Sequence, residues 1–448
     1  MPRSRRASRV HVLVAGAGLA GLAAARKLEQ TGARVSVIEA RDRVGGRVWT
    51  IRDGFHARQH AEAGADLIES EQSAVVDLVR DLGLRTVKIL RRGFGYYGAD
   101  PRGRVMIHDM ARALGPLFGR LQPLVEAYRL LEQRWDGAFA ARLGRQSVTA
   151  WLEEIRAPRW LRERLRGFRG LFLAEPEELS MLAFVDFFAG DPFSREGDTL
   201  RLADGNDRLA TRLDESLRAT VELRTILRRV QQSDRGIVAT VETGGRLAER
   251  RADYLVCALP ASTWRDVVCD PSLPDVHRDA AAALRYGAAT RLLMQFDTRF
   301  WTRAGRPNAF GSDQAIGAVW DGNEQQRGRP GILSFLAGGG ASAALQQILA
   351  AEHLDGVSAR LRWLGRPSPV LHARTVTWED DPWARGGYAF FDPAFDPRWR
   401  DVLARPAGRV VFAGEHTSVR WQGYMNGAVE SGYRAAADVD ALQRGTLG

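Results

Sequence analysis

Gly16, Gly18 and Gly21, followed 18 residues later by Glu39, are the positions where residue type and spacing most directly specify chemistry. In a G-x-G-x-x-G turn the chain needs residues without a Cβ, and a helix that starts there offers unpaired N–H groups to a pyrophosphate. A carboxylate at the Glu39 position accepts hydrogen bonds from a ribose hydroxyl. The chemistry implied is dinucleotide binding. Glycine triplets also form plain structural elbows, so the flanks decide the reading. An apolar run, Val12 to Ala15, precedes the turn, and an Ala-rich amphipathic segment opening with Leu19 and Ala20 follows it. A β-branched run from Val35 to Ile38 then ends at the acid. Strand, tight turn, helix, strand, acid is the order of a nucleotide-binding βαβ unit.

The motif continues as Glu39-Ala-Arg-Asp-Arg-Val-Gly-Gly-Arg47, an extension that nicotinamide enzymes do not need. A second glycine pair followed by Arg47 resembles the FAD-binding signature of the flavin amine oxidase family. The resemblance implies FAD as the ligand, with Ala40, Arg41, Gly45, Gly46 and Arg47 lying along it. Further segments extend the likeness over most of the chain, residues 95 to 200 largely excepted. Ala61-Glu-Ala-Gly-Ala-Asp-Leu-Ile68 is similar to the family segment that passes the flavin ring, which adds Gly64, Ala65 and Asp66 to the cofactor contacts. Val221 to Val230 resembles the strand whose backbone meets adenine and would bring Leu227 to that ring. Phe412-Ala-Gly-Glu-His416 looks like the family's F-A-G-E-x motif, in which the acid, here Glu415 after Gly414, binds the ribityl chain. Trp421-Gln-Gly-Tyr-Met-Asn-Gly-Ala-Val-Glu-Ser-Gly432 resembles the monoamine-oxidase version of the last block, with Gly423, Tyr424 and Met425 at the cofactor. A helix beginning near Met425 would direct its positive end at the cofactor and favour an anionic reduced form.

What the resemblance implies for the substrate rests on two tyrosines. Tyr388 and Tyr424 align with the family's aromatic cage, whose electron-rich ring faces guide an amine. Gly387 stands where monoamine oxidases carry the cysteine that attaches the flavin, so FAD is expected to be non-covalent. Arg291 stands where the family has a lysine that holds a water at flavin N5 and assists reaction with dioxygen. An arginine keeps the charge but does not deprotonate, which leaves oxidase and dehydrogenase both open. Glu62 matches an acid that steers cationic substrate in related enzymes, and burial would let it accept a proton. The implied activity is oxidation of an amine C–N bond to an imine by hydride transfer to FAD N5, with dioxygen regenerating FAD and releasing hydrogen peroxide. The alternatives are an L-amino-acid oxidase, a biosynthetic amine or amide oxidase whose iminium is trapped by an internal nucleophile, and a non-catalytic FAD-binding protein.

Positioning these residues requires an interrupted architecture. Nucleotide-domain signals fall in residues 1–88, 199–286 and 382–448, separated by inserts at 89–198 and 287–381. The expected fold is α/β, a Rossmann-type FAD-binding domain with a second α+β substrate-binding domain built from the two inserts. The first insert is rich in Leu, Arg and Trp at helical spacing; the second mixes strand-like runs, such as Leu292 to Phe296, with glycine turns. The site is expected at the seam, where ligand pockets tend to sit.

Composition fits this reading. A chain of 448 residues with 45% hydrophobic and 26% charged residues buries large cores and divides into two domains. The formal charge of +10 comes almost entirely from arginines scattered along the chain, since lysine occurs only at Lys27 and Lys88. Without a nucleic-acid motif, that scatter reads as compositional bias and no nucleic-acid partner is expected. No apolar run reaches the roughly 20 residues of a membrane span. Ser4-Arg5-Arg6 is read as a short basic tail, not an export signal, and the end at Leu447-Gly448 shows no anchor, so a cytoplasmic protein is expected. Cys257, inside the apolar run Tyr254 to Leu259, is read as a core thiol and no metal site is expected. His60 and His416 are given no catalytic role. The partners expected are a small-molecule amine and dioxygen; the oligomeric state is open, with a homodimer among its options.

Overall fold

A computed structural model describes residues 9–99, 105–190 and 197–446; the tail with Ser4-Arg5-Arg6 and the end at Leu447-Gly448 lie outside them. Val12, Leu13 and Val14 are almost completely buried, as a strand covered on both faces requires. They form the centre of a five-stranded parallel sheet ordered Val221–Glu222, Arg34–Ile38, His11–Ala15, Tyr254–Cys257 and Val410–Phe412. The Ala-rich helix Leu19–Gln30 packs against the C-terminal helix Met425–Arg444. Small side chains such as Ala23, Ala24 and Ala25 are wholly buried along that face. A four-stranded sheet, Arg246–Ala252, Gly236–Thr243, Thr225–Ser233 and Val268–Asp270, is laid beside it. The architecture is α/β with a two-domain organisation.

The segment Val221 to Val230 is not one strand. Val221–Glu222 pairs in the parallel sheet and Thr225–Ser233 in the four-stranded one. The chain turns between them at Arg224, which has a φ of 53°. Backbone N–H groups of Arg224 and Thr225 donate to the Arg41 and Glu39 carbonyls, so the turn is tied to the acid end of the nucleotide motif.

The two inserts share a sheet. Its order is Val370–Thr377, Ala289–Phe296, Gly331–Gly338, Ala318–Asp321, Ala309–Ser312, Phe94–Ala99 and Val105–Asp109. Ala309 opposite Phe94 is the register at which the second insert meets the first, in parallel. Helices Met110–Leu130, Ala138–Gly144, Val148–Glu154, Arg159–Leu165, Arg169–Phe172 and Met181–Ala189 belong to the first insert. Serines start two of them: the Ser147 side chain accepts from the Ala150 N–H and that of Ser180 from the Leu182 N–H. The faces they bury are aromatic, with Phe184 and Phe188 edge to face at 4.9 Å. Between the segments, Ile68–Glu69, Thr199–Leu202 and Thr86–Ile89 form a small antiparallel sheet.

Candidate active site

Parallel strands deliver ligands to their carboxyl ends, and three strands here end at one cavity. His11–Ala15 runs into Gly16, Arg34–Ile38 into Glu39, and Val410–Phe412 into Gly414 and Glu415; all of these line a cavity of about 1670 Å³. The turn is shaped by close approach. Gly16 has a φ of 103°, and a Cβ on Gly21 would lie 1.9 Å from the Gly16 carbonyl oxygen. Gly18 differs, because a Cβ there meets nothing within 4 Å and would project into open space. It caps the N-terminus of Leu19–Gln30 without any side chain over the free N–H groups, as a pyrophosphate site needs.

Glu39 is fixed by backbone. One carboxylate oxygen accepts from Ala17 N–H at 2.7 Å and the other from Arg41 N–H at 2.8 Å. Arg41 is turned to Asp381, donating at 2.5 and 2.8 Å. Arg47 donates to Glu415 at 2.9 Å and to the Gly387 carbonyl at 2.8 Å. Glu415 also accepts from Gly423 N–H at 2.8 Å. A single carboxylate therefore joins the second glycine pair, the Gly387 loop and the entry to the C-terminal helix. The first turn of that helix, from Met425, carries no side-chain cap. The open glycine cradle, the backbone-held acid and the volume of the cavity fit FAD.

Farther along, Arg291 projects from the wholly buried strand Ala289–Phe296. Its Nε donates to the Glu62 carbonyl at 3.0 Å, and one terminal nitrogen to the Gly64 carbonyl and Asp66 at 3.0 and 3.1 Å. The guanidinium stacks 4.4 Å over Trp320, whose indole N–H donates to Asp66. Asp66 also takes Arg201 at 2.6 Å. The other terminal nitrogen of Arg291 is buried and meets no protein acceptor. Burial lowers the Arg291 pKa, against the pull of Asp66, yet arginine stays charged across the working range. It is a fixed cation in the wall.

Tyr388 and Tyr424 line the same cavity. The Tyr388 hydroxyl donates to the Leu171 carbonyl at 2.6 Å and reaches that of Gly170 at 3.2 Å, which ties its ring to the first insert. Burial raises both phenols, with Tyr424 and Glu415 adding to the effect on Tyr388 and Glu69 to that on Tyr424, so both remain protonated. Phe168, Phe172, Leu171, Leu173 and Phe187 supply an apolar wall opposite.

Of the residues singled out from sequence, Gly16, Gly18, Leu19, Ala20, Glu39, Ala40, Arg41, Gly45, Gly46, Arg47, Gly64, Ala65, Asp66, Leu227, Arg291, Tyr388, Gly414, Glu415, Gly423, Tyr424 and Met425 share the cavity wall. Gly21 and Glu62 are not on it. Gly21 acts one layer behind, through the Gly16 carbonyl. Glu62 sits in a strand, Ala61–Glu62, where side chains alternate faces, and Ala63 next to it takes the cavity side. The Glu62 carboxylate instead accepts from the Thr50 hydroxyl at 2.8 Å and Asn206 N–H at 3.0 Å. Burial, with Asp66 nearby, pushes it up to about 8. His416 is wholly buried among Trp264 and Tyr286, and burial pushes it down to about 4. Sequence reasoning missed Trp320, Arg201, Glu69, Asp186 and the phenylalanine wall; each stands in a different segment, and no local motif marks them.

The family model for flavin containing amine oxidoreductase matches residues 19–440. Amine oxidase [flavin-containing] A of Bos taurus is 26% identical over 465 residues, covering 96% of this chain and 84% of that protein. A putative flavin-containing monoamine oxidase, AofH, of Mycobacterium tuberculosis is 29% identical over 460 residues and covers 97% of both. Among solved structures, wild-type putrescine oxidase bound to putrescine superposes with a TM-score of 0.83 at 24% identity, over 97% of this chain and 99% of that one. Cyclohexylamine oxidase from Brevibacterium oxydans IH-35A gives 0.84 at 24% identity, over 97% and 100%. At that identity the two structures speak for the fold.

Proposed function

The chain belongs to the flavin containing amine oxidoreductase family, and on that premise we propose how its cavity oxidises an amine and what accepts the electrons. The protein is an FAD-dependent amine oxidase. When bound, FAD supplies the two-electron acceptor that turns the amine's C–N bond into an imine, and dioxygen is the proposed final acceptor, yielding hydrogen peroxide.

The residues divide the work. Gly18 and the first turn of Leu19–Gln30 receive the pyrophosphate, Glu39 the ribose, and Glu415 with Arg47 the chain beyond it. Gly387 offers no thiol, and a Cβ at that position would lie 2.4 Å from the Leu173 side chain; the cofactor is held without a covalent bond there. The uncapped N-terminus at Met425 would favour negative charge on a cofactor bound before it. Tyr388 and Tyr424 present ring faces to the incoming amine. The apolar wall of Phe172, Leu173 and Leu171 excludes water and disfavours the ammonium form, so the reacting nitrogen keeps its lone pair. Arg291 clamps the Glu62–Asp66 backbone against the cavity. As a permanent cation it neither gives nor takes a proton. Once formed, the imine is hydrolysed by water to an aldehyde or ketone. The free thiols of Cys257 and Cys269 support a cytoplasmic, reducing setting.

The observation that carries this reading is one continuous cavity running from the glycine turn to Tyr388 and Tyr424. The test is anaerobic mixing of the flavin-loaded protein with primary, secondary and N-acylated amines and L-amino acids, followed by admission of air. Bleaching of the flavin by a simple amine, with prompt recovery and peroxide, is expected. Bleaching with slow recovery in air would reject dioxygen as acceptor, and no bleaching by any amine would sink the substrate assignment.

A further inference from the structure

Arg400 is 2% exposed and stands behind the cavity wall, yet it reaches both segments that carry the site's tyrosines. It follows the short helical turn Pro397–Trp399, which Asp396 starts. A guanidinium taken this far from water needs acceptors for its N–H groups, and its planar fork serves several at once. One terminal nitrogen donates to the Ser418 carbonyl at 2.8 Å and to that of Val419 at 2.7 Å. The other reaches the Gln422 side-chain oxygen at 3.4 Å. The guanidinium carbon lies 4.3 Å from the ring centre of Phe391 and 4.8 Å from that of Trp135, an arrangement that favours its charge.

These contacts join two segments. Ser418, Val419 and Gln422 belong to the link between the turn Glu415–Thr417 and the helix from Met425, a link that is neither strand nor helix and ends at Tyr424. Gln422 passes the connection on, donating from its amide nitrogen to the Ala389 carbonyl, one residue past Tyr388. Phe391, under the guanidinium, lies two residues farther along that segment. Tyr388 and Tyr424 are thus both referred to one buried cation. The first insert holds it from the other side. Burial disfavours the Arg400 charge, and Asp186, on the helix Met181–Ala189, offsets part of that effect. Asp186 in turn accepts from the Tyr128 hydroxyl at 2.7 Å. A lysine would keep the charge but not the planar fork that fixes three acceptors in one geometry.

Resting on the amine oxidase reading above, we propose that Arg400 is a positioning residue: it sets the separation of the Tyr388 and Tyr424 rings, and through them the alignment of the amine with the cofactor, while touching neither. Alignment of this kind acts on rate more than on affinity, because a misplacement of about 1 Å costs on the order of 100-fold.

The test compares the native holoenzyme with Arg400→Lys and Arg400→Ala, with flavin content and denaturant midpoint measured alongside. In Arg400→Lys, anaerobic reduction of the flavin by a saturating amine is expected to slow about 10- to 100-fold while KM holds. Reduction by dithionite, which needs no alignment, should be unchanged. In Arg400→Ala, added guanidinium ion, which fits the space left behind, is expected to restore much of the lost rate and to leave the native rate unchanged. Native rates in Arg400→Lys, a loss in Arg400→Ala that guanidinium does not restore, or losses that only follow lost flavin or lost fold would each overturn the proposal. A readout free of turnover is the ring separation in crystal structures of the native holoenzyme and Arg400→Lys. A shift of about 1 Å is expected, and an unmoved pair would equally overturn the proposal. If no amine bleaches the native flavin, the amine oxidase reading fails by itself, and the ring separation still decides the role of Arg400.

Discussion

The two ends of the cavity are built on different plans. At the nucleotide end the groups facing the ligand are backbone N–H donors and missing side chains, at Gly16, Gly18 and the starts of two helices. Their positions follow from strand ends in one parallel sheet, and Glu39 itself is aimed by two N–H groups. At the proposed amine end the cavity is lined by side chains, brought by the Gly387 loop, the C-terminal block, the Ala289–Phe296 strand and the helices of the first insert. A backbone-built site tolerates little change anywhere in its motif, because no side chain can be exchanged to relieve a clash. A side-chain-built site can change its ligand with one residue and leave the fold alone.

The largest effect that would separate the two ends comes from Gly21→Val. A Cβ at Gly21 overlaps the Gly16 carbonyl at 1.9 Å, and backbone cannot yield as a side chain tip does. Loss of bound flavin and of more than about 3 kcal/mol of stability is expected, read from the flavin absorbance and the denaturant midpoint. Retention of stoichiometric flavin would break the contrast, since it would show the turn to be adaptable.

Arg291→Met tests the junction between the ends. It leaves Asp66 with Arg201 and the Trp320 indole alone, and strips two backbone carbonyls of their donor. Removing one partner of a buried ion pair costs about 3 kcal/mol, and most of the flavin should remain because the glycine cradle is intact. A stability loss below about 1 kcal/mol would mean that Arg291 is kept for chemistry and not for holding the wall.

The smallest effect concerns Glu62, which lies behind the amine end. Burial holds its folded-state pKa at about 8, above the ordinary carboxylate value of 4.5, so the folded chain binds more protons than the unfolded one. Stability from this group therefore falls as pH rises from about 4.5 to 8 and is level above that. Glu62→Gln should abolish that slope while leaving amine turnover at neutral pH unchanged. Denaturant midpoints of both proteins from acid to mildly alkaline pH check the first part. A large fall in kcat would return Glu62 to the reacting centre.

The same contrast explains what was legible in the chain. The central strand Val12 to Ala15, the turn, Glu39 and the helix at Met425 could be read because each is a local pattern: an apolar run, glycines at fixed offsets, an acid at a strand end. Even there the reading slipped where tertiary pairing intervened, as when Val221 to Val230 divided between two sheets at Arg224. Glu62 was drawn to the site because it matches an acid that steers cationic substrate in related enzymes, but strand alternation turns it the other way. Glu69, seven positions on, carried no such signal.

Sequence by itself determined the dinucleotide cradle and the order of the blocks, because contiguous residues fix the local backbone and the hydrogen-bond donors it exposes. Only the tertiary structure decided which carboxylates face the cavity and which cations they pair with. Electrostatic compensation acts through space between segments more than a hundred residues apart, such as Asp66 with Arg201 and Arg47 with Glu415, and a linear pattern holds no record of those distances.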